Sequence, residues 1–230
     1  AHAYPLQYRE DHKAYIDLIV SQMLPDIAAE GLADYIDVFC DRGFFSPGET
    51  ETILEAGAKY GLKPKIHANE LDYSGGVQVG VKHGALSVDH LECVGPDELE
   101  ALKGSGTIAT LLPSTAFFLG IDYAPARKII DYGIPVAIAS DYNPGSSPSG
   151  NMPLVLSLSC IQMKMLPEEA LRAATLHGAY AMELENELGS VTPGKLANLI
   201  LTKKVPSLAF LPYSFGSDWI ENVVIKGNVQ

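Results

Sequence analysis

Five short β-rich runs alternate with helical patterns, and this alternation limits the fold more than any other feature of the chain. The runs cover 35–40, 63–67, 86–90, 107–112 and 136–140, so their starts lie 28, 23, 21 and 29 residues apart. Strands and helices alternating at this spacing form βα units and a parallel sheet. The clearest helix follows Ser46-Pro47-Gly48-Glu49. Serine as N-cap, proline at the first helical position and glutamate at the third make a capping box, and Gly61 provides the stop. A further helix is predicted from Ala124-Pro125 to Gly133. No direct sequence repeat underlies the pattern, so it is architectural.

An open doubly wound sheet and a closed barrel both accommodate such an alternation. No GxGxxG, GxxxxGKS or GxxxxGKT follows any of the runs, so the usual nucleotide signatures of open sheets are absent. The residues that end the runs favour the barrel. One run ends in His67, the next in His90, and 136–140 leads directly into Asp141. Catalytic groups of a barrel come from the C-terminal ends of several strands, which converge on one mouth. The opening Ala1-His2-Ala3 reads as the tail of another strand. The expected architecture is α/β, a partial (β/α)8 TIM-like barrel over residues 1–186. The tail, 187–230, turns from Gly- and Pro-rich to β-rich, with a turn expected at Gly227-Asn228. It is read as the C-terminal part of a small β-domain.

Charge and cysteine usage exclude several functions. A net charge of −12 argues against nucleic acid and anionic membrane as partners. Cys40, Cys93 and Cys160 have no CxxC spacing, which favours free thiols in a reducing cytosol and a cytoplasmic protein. The longest apolar run, 152–165, is interrupted by Ser157, Ser159, Gln162 and Lys164 and falls short of the about 18 residues of a membrane helix. No signal peptide is visible.

His67 and Asp141 are the candidate metal ligands, because neutral imidazole and carboxylate suit a hydrolytic Zn or Fe ion. Singly, each has an ordinary structural explanation. A strand-end histidine is more often a hydrogen-bonded packing residue, and an aspartate in Ser-Asp-Tyr-Asn-Pro-Gly is more often a turn former. Together with His90 and Glu70, all at or just beyond strand ends, they favour a site. His12, His83 and His177 are read as structural or solvated. Catalytic zinc sites usually take three protein ligands, so two are an incomplete set.

The segments His67-Ala68-Asn69-Glu70, Asp89-His90-Leu91-Glu92 and Ser140-Asp141-Tyr142-Asn143-Pro144-Gly145-Ser146 stand in an order that resembles the amidohydrolase superfamily. Within it they resemble the imidazolonepropionase family most closely. Ala1-His2-Ala3-Tyr4-Pro5, Asn151-Met152-Pro153 and the Pro193-Gly194-Lys195-Leu196-Ala197-Asn198 tail are similar to that family too. The resemblance implies strands 3–8 of an amidohydrolase barrel followed by a segment of a small β-sandwich. It implies metal-dependent opening of the cyclic amide of imidazolone propionate to N-formimino-L-glutamate, a step of histidine degradation. His67 and Asp141 match two of four ligands to one Zn or Fe ion. The other two form a His-x-His pair, which this sequence does not contain. Glu70 and His90 match residues that contact the substrate ring and the attacking water, and His2 matches a substrate-contacting histidine. Asn143, Gly145 and Ser146 match the loop around the propionate. The implied partner is a small molecule, and the intact enzyme is implied to be a homodimer. Residues 1–230 alone are expected to lack the activity. Two other readings are a deaminase or other amidohydrolase of the superfamily, and a catalytically incomplete fragment that only binds.

Overall fold

The computed structural model describes residues Ala1–Gln230, which divide into two compact units, Ala1–Ala109 and Thr110–Gln230. Five strands lie side by side in sequence order: β1 (Tyr35–Cys40), β2 (Lys63–Ala68), β3 (Ser87–His90), β4 (Ile108–Leu111) and β5 (Val136–Ile138). The β1–β2 and β2–β3 pairs are parallel. Neighbouring parallel strands in sequence order, each joined through helix, are the winding of a (β/α) barrel. β4 contributes residues 108–109 to the first unit and 110–111 to the second. Ile108 N–H donates to Leu86 O at 3.0 Å, and Ala139 N–H to Leu111 O at 3.2 Å.

In the first unit the two faces of the sheet differ in character. Ile36, Val38, Ile66, Ala68 and Val88 alternate onto one face and are buried. Helices cover that face, and glycine sets how closely they approach. A Cβ at Gly76, the first residue of the helix Gly76–Lys82, would meet Ala68 Cβ at 2.7 Å and Cys40 O at 3.1 Å. One turn later, a Cβ at Gly80 would meet Ile66 and Val88 at 2.9 Å. We expect Gly76→Ala to destabilise by about 1–3 kcal/mol, the usual cost of overpacking. Loss of unfolded-state entropy offsets at most about 1 kcal/mol of this. A lowered urea midpoint at unchanged slope is the expected result, and an unchanged midpoint contradicts it.

The opposite face carries Tyr35, Asp37, Phe39, Lys65, His67, Ser87 and Asp89. The register sets Asp37 beside Lys65, Phe39 beside His67, and His67 beside Asp89. Lys65 Nζ donates to Ser87 Oγ at 3.0 Å and lies 5.7 Å from the Tyr35 ring centre. This row of polar side chains lies on the face away from the helices.

The helix expected after Ser46 runs Pro47–Ala58 with its capping box formed: Ser46 N–H donates to Glu49 Oε2 at 2.7 Å, and Glu49 N–H to Ser46 Oγ at 3.4 Å. Gly61, at φ +76°, follows it. The helix expected from 124 to 133 is Ala126–Asp131. Ala1–Ala3 is not a regular strand, although Phe39 N–H of β1 donates to Ala1 O at 2.9 Å.

In the second unit, β5 ends at Ile138, two residues short of the expected run, and Asp141 then adopts φ +50°. The apolar run that begins at Met152 forms the helix Met152–Ile161, and no helix is long and apolar enough to cross a membrane. The tail forms a separate antiparallel sheet of β6 (Leu199–Thr202), β7 (Ile220–Ile225) and β8 (Asn228–Val229). Its hairpin turns at Lys226-Gly227, at φ +49° and +82°, one residue before the expected Gly227-Asn228. Two successive positive φ values make a type I′ turn, whose twist matches the flanking strands.

Candidate functional site

His67 and His90, from neighbouring strand ends, come together in the first unit with ring centres 5.2 Å apart. In a regular strand, His90 would face away from Asp89 and so away from the face that carries His67. Its φ of +84°, followed by Leu91 at +67°, breaks the alternation at that point. Phe39 packs beside both rings, 6.2 Å from His67 and 6.3 Å from His90, and His2 stacks on it at 5.2 Å.

His90 is buried, 3.6 Å from Glu70 Oε2 through Nε2 and 3.7 Å from Glu92 Oε2 through Nδ1. Burial, with smaller contributions from His67 and His2, pushes its pKa down to about 3. The imidazole is therefore neutral at ordinary pH and can offer one N–H and one lone pair.

His67 Nδ1 lies 3.0 Å from Asp37 Oδ1. One donor atom each of Asp37, His67 and Asp89 lies within 4.8 Å of the others. Burial holds the Asp89 carboxyl above the usual carboxylate range despite its proximity to His67, and its Oδ1 is buried without a hydrogen bond. This imidazole and carboxylate set suits a divalent metal such as zinc or iron.

The loop after β2 is held by two buried side chains. Asp41 Oδ2 accepts from Glu70 N–H at 2.8 Å and Leu71 N–H at 3.0 Å, while Oδ1 accepts from Arg42 N–H at 2.7 Å. Asn69, at φ +58°, donates through Nδ2 to Cys93 O at 2.9 Å and accepts through Oδ1 from Ser74 Oγ at 2.8 Å. Asp41 therefore fixes where Glu70 leaves the strand. Asp41→Ala removes the acceptor for three backbone N–H groups, and we expect a loss on the order of 3 kcal/mol. Asp41→Asn, which keeps one acceptor oxygen, should lose less. Thermal unfolding of both variants checks this, and equal midpoints for Asp41→Ala and the parent would contradict it.

In the second unit, Asp141 Oδ2 accepts from Thr115 Oγ1 at 2.6 Å and from Ser146 Oγ at 3.4 Å. Ser114 Oγ at 2.8 Å and Ser147 Oγ at 2.7 Å both donate to Ser140 O, holding the strand exit just before Asp141. Asn143 organises the following loop. Its Oδ1 accepts from Gly145 N–H and Ser146 N–H, both at 2.8 Å, and its Nδ2 donates to Asp141 O at 2.7 Å. These are the bonds of an Asx turn. They engage the backbone N–H groups of Gly145 and Ser146, in the loop that the resemblance places around the propionate.

Seven non-glycine residues have positive φ, and four of them, Asn69, His90, Leu91 and Asp141, fall in the segments singled out from the sequence. Each such backbone costs about 1–3 kcal/mol, and such strain gathers at functional sites. His2, His67, Glu70 and His90 thus share one cluster in the first unit. Asp141, Asn143, Gly145 and Ser146 share one loop in the second. Asp37, Asp41 and Thr115 were not singled out from the sequence, and Asp89 stood in a quoted segment with no role assigned to it. Charged residues inside otherwise buried strand runs, Asp37 in Tyr-Ile-Asp-Val-Phe-Cys and Asp89 in Ser-Val-Asp-His, were the available signal. The remaining histidines have local partners: His12 Nδ1 lies 3.1 Å from Glu49 Oε1, His83 Nε2 3.9 Å from Glu51 Oε1, and His177 Nδ1 2.7 Å from Val136 O.

The model of the amidohydrolase family matches residues 45–229, most of the sequence. The chain belongs to the amidohydrolase family. It is 55% identical over 229 residues to an imidazolonepropionase of Christiangramia forsetii, covering 100% of this chain and 56% of that protein. An imidazolonepropionase of Flavobacterium johnsoniae is 56% identical over the same shares, and one of Geobacillus thermodenitrificans is 44% identical, covering 54% of that protein. This amidohydrolase chain spans about half the length of the curated relatives it matches. Solved structures share the fold at low identity. An adenosine deaminase from Xanthomonas campestris with bound zinc aligns with TM-score 0.72 at 17% identity, over 91% of this chain and 55% of that one. A mutant atrazine chlorohydrolase from Arthrobacter aurescens, complexed with zinc and atraton, gives TM-score 0.73 at 20% identity, over 93% and 55%.

Proposed function

We propose that the protein carrying this chain is a metal-dependent amidohydrolase that opens the cyclic amide of imidazolone propionate to give N-formimino-L-glutamate. The observation that carries the reading is 55–56% identity along the whole chain to two imidazolonepropionases. The clustering of His67, His90 and Glu70 supports it.

The reaction adds water across a C–N bond: hydroxide goes to the carbonyl carbon and a proton to the leaving nitrogen. His67 and Asp141 would hold one zinc or iron ion. A bound ion supplies Lewis acidity, which polarises a carbonyl and makes water more acidic. Asp141 accepts the proton that water loses, and the bond from Thr115 keeps its carboxylate oriented. His90, neutral, donates a hydrogen bond to the carbonyl oxygen as charge gathers there. Glu70 holds a ring N–H and then returns a proton to the leaving nitrogen. His2, stacked on Phe39, contacts the ring of the substrate. Asn143 shapes the loop of Gly145 and Ser146 around the propionate. Zinc and iron both accept this ligand chemistry. The test is conversion of imidazolone propionate by the full-length protein, followed as loss of the ring chromophore and appearance of N-formimino-L-glutamate. A folded, metal-loaded protein that leaves the compound intact would refute the assignment.

A further inference from the structure

We propose that Asp37 is the positioning residue of the metal ligand His67, holding its Nδ1 as the protonated nitrogen and so committing Nε2 to the ion. This rests on the reading of His67 as a ligand.

The geometry comes from the strand register. His67 pairs with Phe39 on β1, and Asp37 lies two residues earlier on the same face. That diagonal brings Asp37 Oδ1 to 3.0 Å from His67 Nδ1. The carboxylate can only accept, so at this distance Nδ1 carries the hydrogen and Nε2 keeps the lone pair. A metal needs that lone pair, and a carboxylate behind a ligating imidazole both fixes its tautomer and raises its basicity. The nearest cation by register, Lys65, donates to Ser87 Oγ at 3.0 Å. On the other flank, Asp89 is the direct register partner of His67. Phe39 and Asp89 thus flank His67 in register, and the Nδ1 contact to Asp37 orients the ring. In a second arrangement of the same atoms, Asp37 is itself a ligand beside His67 and Asp89. The two differ in what removing the charge of Asp37 does.

The experiment uses the full-length protein, with Asp37→Asn and Asp37→Ala variants. Zn²⁺ affinity is measured by competition with a chromophoric chelator. The Co²⁺-substituted proteins give visible spectra, and 15N NMR of the metal-free proteins reports the His67 tautomer. The expected result is a 10–100-fold loss of Zn²⁺ affinity in Asp37→Ala, the usual penalty for an outer partner of a ligand. Asp37→Asn, which can still accept from Nδ1, should regain part of it. The Co²⁺ spectrum should keep its band positions, and Nδ1 protonation should be lost in Asp37→Ala alone. Affinity within threefold of the parent in both variants, with an unchanged tautomer, would overturn the proposal. So would a Co²⁺ spectrum showing one ligand fewer, which would make Asp37 a ligand. None of these readouts uses the substrate, so failure on imidazolone propionate and failure of this inference are told apart.

Discussion

Asp141→Ala in the full-length protein is expected to lower turnover by more than the about 10²–10⁴-fold typical of one general acid–base residue. The excess arises because the same carboxylate is assigned two tasks, ligation and acceptance of the proton from water. Metal content should fall with activity. The surroundings of Asp141 are specific to a carboxylate: Thr115 Oγ1 donates to Oδ2 at 2.6 Å, and the preceding carbonyl of Ser140 is held by two serine hydroxyls. Because Asp141 sits at φ +50°, alanine adds backbone strain there, and loss of folding has to be separated from loss of function. Thr115→Val serves that purpose. It leaves Asp141 in place and replaces the buried hydroxyl by a methyl group of similar size, so the protein should stay folded and lose a smaller part of its turnover. Unchanged metal content and turnover in Asp141→Ala would remove Asp141 from the site.

His90→Ala is expected to lower kcat by about 10²–10³-fold, the cost of losing one donor to a developing oxyanion, with metal content unchanged. The pH dependence adds a second mark. The pKa of His90 is depressed to about 3 from the ordinary histidine value, chiefly by burial. The neutral imidazole therefore persists from alkaline pH down to about pH 3, and protonation is disfavoured across the window where a free histidine titrates. The parent enzyme should accordingly show no fall in kcat/KM assignable to His90 between pH 5 and 7. Any acid limb in that range should survive in the residual activity of His90→Ala. An acid limb present in the parent and abolished in the variant would show that His90 titrates there and acts as a base.

Much of the barrel portion was legible because its signals are local. The strand runs, the Ser46–Glu49 capping box and the placement of His67 and His90 at strand ends all follow from neighbouring residues. Contacts between strands were less legible. Asp37 meets His67, and Asp41 meets Glu70, across 30 and 29 residues of sequence, through a register that no short window contains. The early end of β5 is another case: the run to Ser140 reads as strand by composition, but Asp141 leaves the extended region at its close. The turn of the last hairpin shifted by one residue because Lys226, not Asn228, takes the left-handed conformation beside Gly227. The role of Asn143 was legible only in outline. Its position in a turn was evident, while the use of its amide on the loop's own backbone needed the fold.

Metal content and imidazolone propionate turnover of the purified full-length protein, measured on one sample alongside Asp141→Ala, test the proposed activity and its metal site together. The full-length protein should carry about one equivalent of zinc or iron per chain and form N-formimino-L-glutamate at an enzymatic rate of roughly 1–10³ s⁻¹, both lost in the variant. Metal-loaded, folded protein that leaves imidazolone propionate unchanged, or a variant that retains both metal and rate, would contradict that expectation.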